Sequence, residues 1–151
     1  MVSLKDAASY IVQEYDKEYK EHISEMKLHK LLYFAQRESL ILKDEPLFDA
    51  VFYGWKYGPV LKEIRSLYPS VFYRFEMDPQ SYRELKPVMD SVFLRYAGKD
   101  AWSLSRLTHG EYSWKQSRLG VNEYENSDNP MKLEDIKVDA DRIKERRAML
   151  S

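Results

Sequence analysis

The sequence predicts a mainly α-helical fold with one short extended arm. Apolar residues recur at helical steps of three and four in several segments, whereas residues 47–57 concentrate β-branched and aromatic residues next to turn formers. A length of 151 residues without an internal repeat fits one domain. We therefore expect a single compact helical domain over residues 1–151, with about six helices and an extended or β arm around residues 47–57.

Two helices are predicted before the arm. Ser3 can accept a hydrogen bond at the start of the first helix, and an apolar stripe then continues to about Tyr19. Ser24 can cap the second helix, which we expect over residues 25 to about 42. Pro46 lies just beyond its end, where a proline cannot continue a helix.

After the arm, Gly58-Pro59 predicts the start of a third helix, because proline at the first helical position loses no donor that the helix needs. Pro69 would end this helix. The segment between Ser70 and Asp78 carries aromatic residues without a period, which predicts a loop that directs them toward other elements. These aromatic residues are Phe72, Tyr73 and Phe75.

A proline also marks both the start and an expected break of the next helical segment. Asp78 followed by Pro79 has the pattern of a capped helix start. Pro87 lies nine residues after Asp78 and lacks the N–H that a continuing helix would need. We therefore expect the helix to break at Lys86.

The last third of the sequence predicts two short helical segments and one long helix. Asp100 can cap a short helix that ends at a corner over residues 108–110, and residues 113–119 would add one or two further turns. Residues 125–130 have the composition of a loop. An amphipathic stripe over residues 133–143 then predicts the final helix.

Two blocks of this sequence resemble a known family. The first block contains MKLHKLLYFAQ at residues 26–36, PLF at 46–48 and FYGWKYGPV at 52–60, and the second is LSRLTHGEYSW at 104–114. Together they resemble the signature of the Panacea domain, which is associated with prophages. Members of that family are typically antitoxins of bacterial toxin–antitoxin pairs. The resemblance therefore implies that the chain binds and neutralises a cognate toxin protein by direct contact, without chemistry of its own.

Within these blocks we predict one structural group of residues and one partner-binding group. Leucines fill the inward face of the second helix, and aromatic, glycine and proline residues build the turn and the corner. The structural group comprises Leu31, Leu32, Trp55, Gly58, Pro59, Thr108, His109 and Trp114. The partner-binding group, expected on an interface rim along the flank of the second helix and on the arm, comprises Lys30, Tyr33, Phe34, Arg37, Tyr53 and Tyr57.

The composition argues against several function classes. Lys and Arg number 24 against 25 Asp and Glu, so the net charge of −1 provides no field that would attract nucleic acid. Cysteine is absent and the three histidines lack metal-ligand spacing, so neither a metal nor a cofactor is expected. No signal peptide or apolar run of membrane length is present, and we expect a cytoplasmic protein with no membrane partner.

The residues leave several alternatives open. A DNA-binding transcriptional autoregulator would need a basic face, and a protease adaptor would use a protein-binding surface. A small enzyme would use His109 with a carboxylate such as Glu111, although satisfying backbone groups at the corner is the favoured role for His109. Acidic residues of the last helix, such as Asp139, are interpreted as a solvated face. Exposed Met149 and Leu150 would also suit a homodimer.

Overall fold

The chain forms seven α-helices and a small antiparallel sheet within residues 1–70 and 76–151, which a computed structural model describes. The helices are α1 (Leu4–Tyr19), α2 (Glu25–Lys43), α3 (Lys62–Leu67), α4 (Pro79–Val92), α5 (Ala101–His109), α6 (Tyr112–Ser117) and α7 (Leu133–Leu150). The strands are β1 (Phe52–Trp55), β2 (Gly58–Val60) and β3 (Pro130–Met131). The prediction of a mainly α fold with a short extended arm is confirmed, and the arm is a β-hairpin.

Helix α2 is the centre of the fold. It packs against α1, α4, α5 and α7, and its residues 27–41 are buried on every side. Leu31 and Leu32 are fully enclosed, as predicted for the structural group. At its start the Ser24 hydroxyl accepts a hydrogen bond from the Lys27 amide, so the predicted cap is confirmed. A helix enclosed in this way must satisfy its polar side chains inside the protein.

The residues Gly58 and Pro59 form part of a strand, so the prediction that they begin a helix is wrong. β1 pairs with both β2 and β3 in the order β2-β1-β3, and Gly54 lies opposite Pro59. Because β2 is an edge strand, a proline without an N–H is tolerated there. The third helix begins only at Lys62.

The predicted helix break at Lys86 is also wrong, because α4 runs through Pro87. The proline lies on the exposed side, while one face of the helix is buried in the core. The buried residues of that face are Leu85, Val88, Met89 and Val92. Their packing outweighs the loss of one backbone hydrogen bond. The start of α4 follows the prediction, since Asp78 caps it and Pro79 is its first residue.

The remaining helices follow the predicted order, whereas Pro130, predicted to lie in a loop, begins strand β3. Asp100 caps α5, because its side chain accepts a hydrogen bond from the Ser103 amide. Gly110 follows the last residue of this helix. A π-helical turn (Phe93–Ala97) joins α4 to the segment before α5. The predicted loop with Phe72, Tyr73 and Phe75 lies outside the described residues. None of the helices in the described ranges has both the length and the hydropathy of a membrane span.

Candidate functional site

The β-hairpin is fixed to the helices by hydrogen bonds to its backbone. The Ser105 hydroxyl of α5 donates to the Tyr57 carbonyl at 2.6 Å, and the indole N–H of Trp114 in α6 donates to the Trp55 carbonyl at 2.8 Å. These two bonds involve both residues that flank the turn residue Lys56. The hairpin turn is therefore held in one position against α5 and α6.

Gly58 lies at a junction where no side chain fits. Its φ of +116° is a conformation that favours glycine. A Cβ at this position would lie 2.6 Å from the Thr108 hydroxyl oxygen and 2.8 Å from Lys30 Cε. The Thr108 hydroxyl is itself held by a 2.7 Å hydrogen bond to the Ser105 carbonyl. The two sequence blocks that carry the family resemblance thus meet at this glycine.

Lys30 is a buried cation beneath the hairpin. Its side chain is 1% exposed, and Nζ donates to the Pro59 carbonyl at 3.4 Å. Burial lowers the pKa of Lys30 to about 8, and the charge of Glu25 partly opposes this shift. Within the described residues no carboxylate forms an ion pair with Lys30, because Glu25 is engaged by His29 and Arg65 instead.

His29 connects α2 to the residue after β2. Its Nδ1 accepts a hydrogen bond from the Leu61 amide at 3.2 Å, so the proton of the neutral ring lies on Nε2, 3.0 Å from Glu25 Oε2. Burial lowers the pKa of His29 to about 4, although the contact with Glu25 opposes the shift. The ring is therefore neutral at pH 7. Its position and partners indicate a structural role.

A cleft of about 360 Å³ lies between the start of α2 and the hairpin. Lys30 lines it together with Trp55 and Tyr57, and Lys56 and Arg65 add positive charge to its walls. The Arg65 guanidinium lies 4.9 Å from the centre of the Trp55 ring. The Trp55 indole nitrogen is buried and has no hydrogen-bond partner among the described residues. We call this space the hairpin cleft.

An exposed aromatic pair lies beside the hairpin cleft. Tyr57 of the turn is 47% exposed and Trp102 of α5 is 55% exposed, and their rings meet edge to face with centres 5.2 Å apart. Tyr53 of β1 is half-buried, with the ammonium of Lys62 4.2 Å from its ring centre. Two of the predicted partner-binding residues, Tyr53 and Tyr57, therefore reach the surface on the hairpin.

The other four predicted partner-binding residues do not form an exposed rim. Lys30, Tyr33, Phe34 and Arg37 are all buried, because neighbouring helices cover every face of α2. The Tyr33 ring packs edge to face against Phe34, and Phe34 stacks on Tyr96 with centres 4.1 Å apart. That part of the prediction is wrong in placing these side chains at a solvent boundary.

Arg37 belongs to an internal polar network. Its guanidinium binds the Glu111 carboxylate and the Tyr96 hydroxyl, and it lines a second cleft of about 360 Å³ between α2 and α7. Burial raises the pKa of Glu111, and the positive charge of Arg37 opposes this rise. This pairing gives the buried guanidinium a counter-charge within the chain.

Asp139 is a structural residue that the sequence did not reveal. Although it was interpreted as solvated, it is 1% exposed. Its carboxylate accepts hydrogen bonds from the amides of Tyr112 and Ser113 at 2.7 and 2.9 Å, and from the Tyr33 hydroxyl at 3.3 Å. It thereby satisfies the first amides of α6 from α7, a role that only the tertiary fold exposes.

The structure does not bring His109 and Glu111 together as a catalytic pair. The His109 ring stacks on Trp114 with centres 4.3 Å apart, whereas Glu111 binds Arg37. Burial lowers the pKa of His109, and a hydrogen bond with the Lys56 backbone opposes the shift. His109 ends α5 as predicted, and among the described residues its Nε2 is buried without a hydrogen-bond partner. The described residues contain no group of three or more potential metal ligands.

The fold and the site define a small helical protein in which one buried helix carries a fixed hairpin and an exposed aromatic pair. Comparison with protein-family models matches residues 28–115 to the family described as Antitoxin SocA-like, Panacea domain. Because the match spans more than half of the sequence, the chain belongs to this family. The predicted resemblance is confirmed, and membership supports an antitoxin role in general terms. Searches of curated proteins and of solved structures each found no match.

Proposed function

We propose that this protein binds a cognate toxin protein and neutralises it by direct contact, with the exposed aromatic pair at the centre of the binding surface. The observation that carries the proposal is the exposure of Tyr57 and Trp102 side by side, with their rings in contact. Tyrosine and tryptophan are the residue types that most often dominate the binding energy of protein interfaces. Family membership supports a toxin as the kind of partner.

The two aromatic residues are also held ready for binding. The hydrogen bond from Ser105 to the Tyr57 carbonyl ties the turn to α5, the helix that carries Trp102. Because the backbone positions are already fixed, a partner would order little more than side chains on binding. Tyr53 and its neighbour Lys62 extend the proposed surface along β1.

A co-expression experiment with a double variant tests this surface. The candidate toxin is the product of the adjacent reading frame, and the protein is expressed with it as wild type or as Tyr57→Ala with Trp102→Ala. We expect the double variant to lose protection, with at least a hundredfold weaker toxin binding by calorimetry, because two central aromatic contacts each contribute roughly 2 kcal/mol.

The matched control is Leu94→Ala. Leu94 is 85% exposed, but it lies in the π-helical turn and not on the hairpin or α5. We expect this control to protect as well as the wild type, and we expect circular dichroism to show folded protein in both variants. If the double variant neutralises the toxin as well as the wild type does, the proposal that this surface binds the toxin is overturned. The DNA-binding alternative would be favoured if the wild type does not bind the toxin but does shift the upstream promoter DNA in a gel-shift experiment.

A further inference from the structure

Two residues that line the hairpin cleft, Lys30 and Trp55, carry hydrogen-bond donors that lack short partners among the described residues. The Lys30 ammonium has three N–H donors, but within residues 1–70 and 76–151 it makes one long hydrogen bond, at 3.4 Å to the Pro59 carbonyl. The Trp55 indole N–H has no partner among the described residues. Among the described residues of the cleft wall the acid is Glu25, and Oε2 of its carboxylate already contacts both His29 and Arg65.

From these donors we infer that the hairpin cleft binds a carboxylate group, and, resting on the proposed function, that the toxin supplies it. A carboxylate can accept a charge-assisted hydrogen bond from the Lys30 ammonium, which is stronger than a bond to a neutral acceptor. Lys56 and Arg65 add positive charge at the cleft wall, while the Trp55 and Tyr57 rings can pack against the stem that carries the carboxylate.

The energetics of Lys30 favour an acidic ligand over a neutral one. An ammonium that is removed from water without a counter-charge loses its solvation and gains little in return. A bound carboxylate would restore a strong charge-assisted hydrogen bond inside the same cleft. The lowered pKa of Lys30 is consistent with this unbalanced burial. The volume of about 360 Å³ also lies within the range of about 300–1,000 Å³ that is typical of ligand pockets.

The position of the cleft connects it to the proposed toxin surface. Tyr57 both lines the cleft and belongs to the exposed aromatic pair. A partner that covers Tyr57 and Trp102 would therefore lie next to the cleft mouth. An aspartate, a glutamate or a terminal carboxylate on that partner could enter it while the aromatic pair is being covered.

Titration with a matched acid and amide tests the cleft without the toxin. The probes are phenylacetate and phenylacetamide, and the readout is the NMR signal of the indole N–H groups. The chain has three tryptophans, so the Trp55 signal is assigned by its loss in Trp55→Phe. We expect phenylacetate to shift the Trp55 signal saturably in the millimolar range, with phenylacetamide binding at least tenfold more weakly.

Two lysine variants show whether Lys30 is responsible. Lys30→Met should weaken phenylacetate binding at least tenfold, because it removes the ammonium but keeps the length of the side chain. Lys27→Met is the matched control, since Lys27 is also a buried lysine of α2 but bonds to the Tyr15 hydroxyl outside the cleft. Equal binding of acid and amide, or unchanged phenylacetate binding by folded Lys30→Met, would overturn the carboxylate site.

A competition experiment with the toxin identifies the source of the carboxylate. We expect Lys30→Met to bind the toxin at least tenfold more weakly than Lys27→Met does, and we expect phenylacetate to compete with the toxin. If phenylacetate binds through Lys30 but leaves toxin binding unchanged, the cleft takes a free carboxylic acid and the assignment to the toxin is overturned. If the wild type binds no toxin, the proposed function fails while the titration still decides the cleft.

Discussion

The polar side chains buried on α2 differ in how completely they are satisfied. Gln36 accepts hydrogen bonds from the amides of Leu47 and Phe48 at 2.8 and 3.3 Å and donates to the Phe48 carbonyl at 3.0 Å. It thereby attaches the segment before β1 to the central helix. Arg37 is likewise paired with Glu111. Lys30 contrasts with both, because in the described part of the chain its ammonium has neither a direct ion pair nor a short hydrogen bond, and the charge of Glu25 acts on it without contact.

At the scale of this one residue, Lys30→Met should stabilise the protein at pH 7. Burial lowers the pKa of Lys30 from 10.5 to about 8, which corresponds to a penalty of about 3 kcal/mol while the lysine is charged in both states. We expect the free energy of unfolding of the variant at pH 7, measured by urea titration, to be about 1–3 kcal/mol higher than that of the wild type.

The pH dependence gives a second test of the same change. The unfolded wild type binds more protons than the folded state between pH 8 and 10.5, so Lys30 makes stability rise with pH in that window. The advantage of Lys30→Met should therefore shrink as the pH increases from 8 to 9.5. Other titrating groups are common to both proteins and cancel in the difference. A less stable Lys30→Met variant at pH 7 would contradict the prediction.

His29 should make stability fall in mild acid. Its pKa is about 4 in the folded state against 6.5 when unperturbed, so the unfolded state binds more protons between these values. The contribution is present above pH 6.5 and is lost as the pH falls toward 4. We expect a loss of roughly 2–3 kcal/mol across this window that is absent in His29→Asn, whose amide oxygen can still accept from Leu61.

The control for this titration is His22→Asn, since the side chain of His22 is 69% exposed. An NMR titration of the His29 ring provides the direct measurement. A midpoint near 6.5 for that ring in the folded protein would show that burial does not hold it neutral.

At the scale of the elements, the hairpin depends on glycine at position 58. Gly58→Ala should destabilise the protein by more than about 2 kcal/mol, because backbone strain adds to the overlap with Thr108 and Lys30. Gly120→Ala is the matched control, since Gly120 also has a positive φ of +79°, but in the described part of the chain no atom beyond its two chain neighbours lies within 4 Å of the added Cβ. Strain alone should cost it about 1–2 kcal/mol. If urea titrations show equal losses of unfolding free energy for Gly58→Ala and Gly120→Ala, close packing around Gly58 does not contribute to stability.

The helix starts could be predicted because their causes are local. Ser3, Ser24, Asp78 and Asp100 each accept a hydrogen bond from an amide three residues later, so the pattern and its partner lie within one turn. Gly58-Pro59 could not be assigned in this way, because the same dipeptide suits a helix start and an edge strand. Pairing across the hairpin decides between them.

The burial of α2 and the shape of the candidate site could not be predicted for a related reason. Charged residues such as Arg37 and Glu38 suggest a wet face, but their partners lie 74 and 109 residues away in the sequence. Helical periodicity assigns a charged face to solvent, because the local pattern contains no information about partners so far away in the sequence. Tyr57 does reach the surface, as turn residues usually do, and its role in partner binding stays a prediction.

At the scale of the whole molecule, α7 closes the fold over α2 through a buried charge. The Glu38 side chain is fully buried, and Arg147 donates to both of its oxygens, at 3.1 Å to Oε2 and 2.5 Å to Oε1. The Ser91 hydroxyl of α4 adds a bond to Oε2 at 2.9 Å. One carboxylate on the central helix thus joins α4 and the end of the last helix, so losing its cation should affect the stability of the entire chain.

Arg147→Ala should therefore destabilise the protein by roughly 3 kcal/mol, because it leaves the Glu38 charge buried with the Ser91 hydroxyl as its remaining partner. Arg146→Ala, at the exposed neighbouring position, should change the unfolding free energy by less than about 0.5 kcal/mol. Adding Glu38→Gln to Arg147→Ala should recover part of the loss, because a neutral amide costs less to bury than an unpaired carboxylate. The double-mutant cycle compares four proteins by urea titration: the wild type, Arg147→Ala, Glu38→Gln and the double variant. Additive losses would mean that the two side chains act independently and that α7 is held by its apolar face, which includes Ile136 and Ala140.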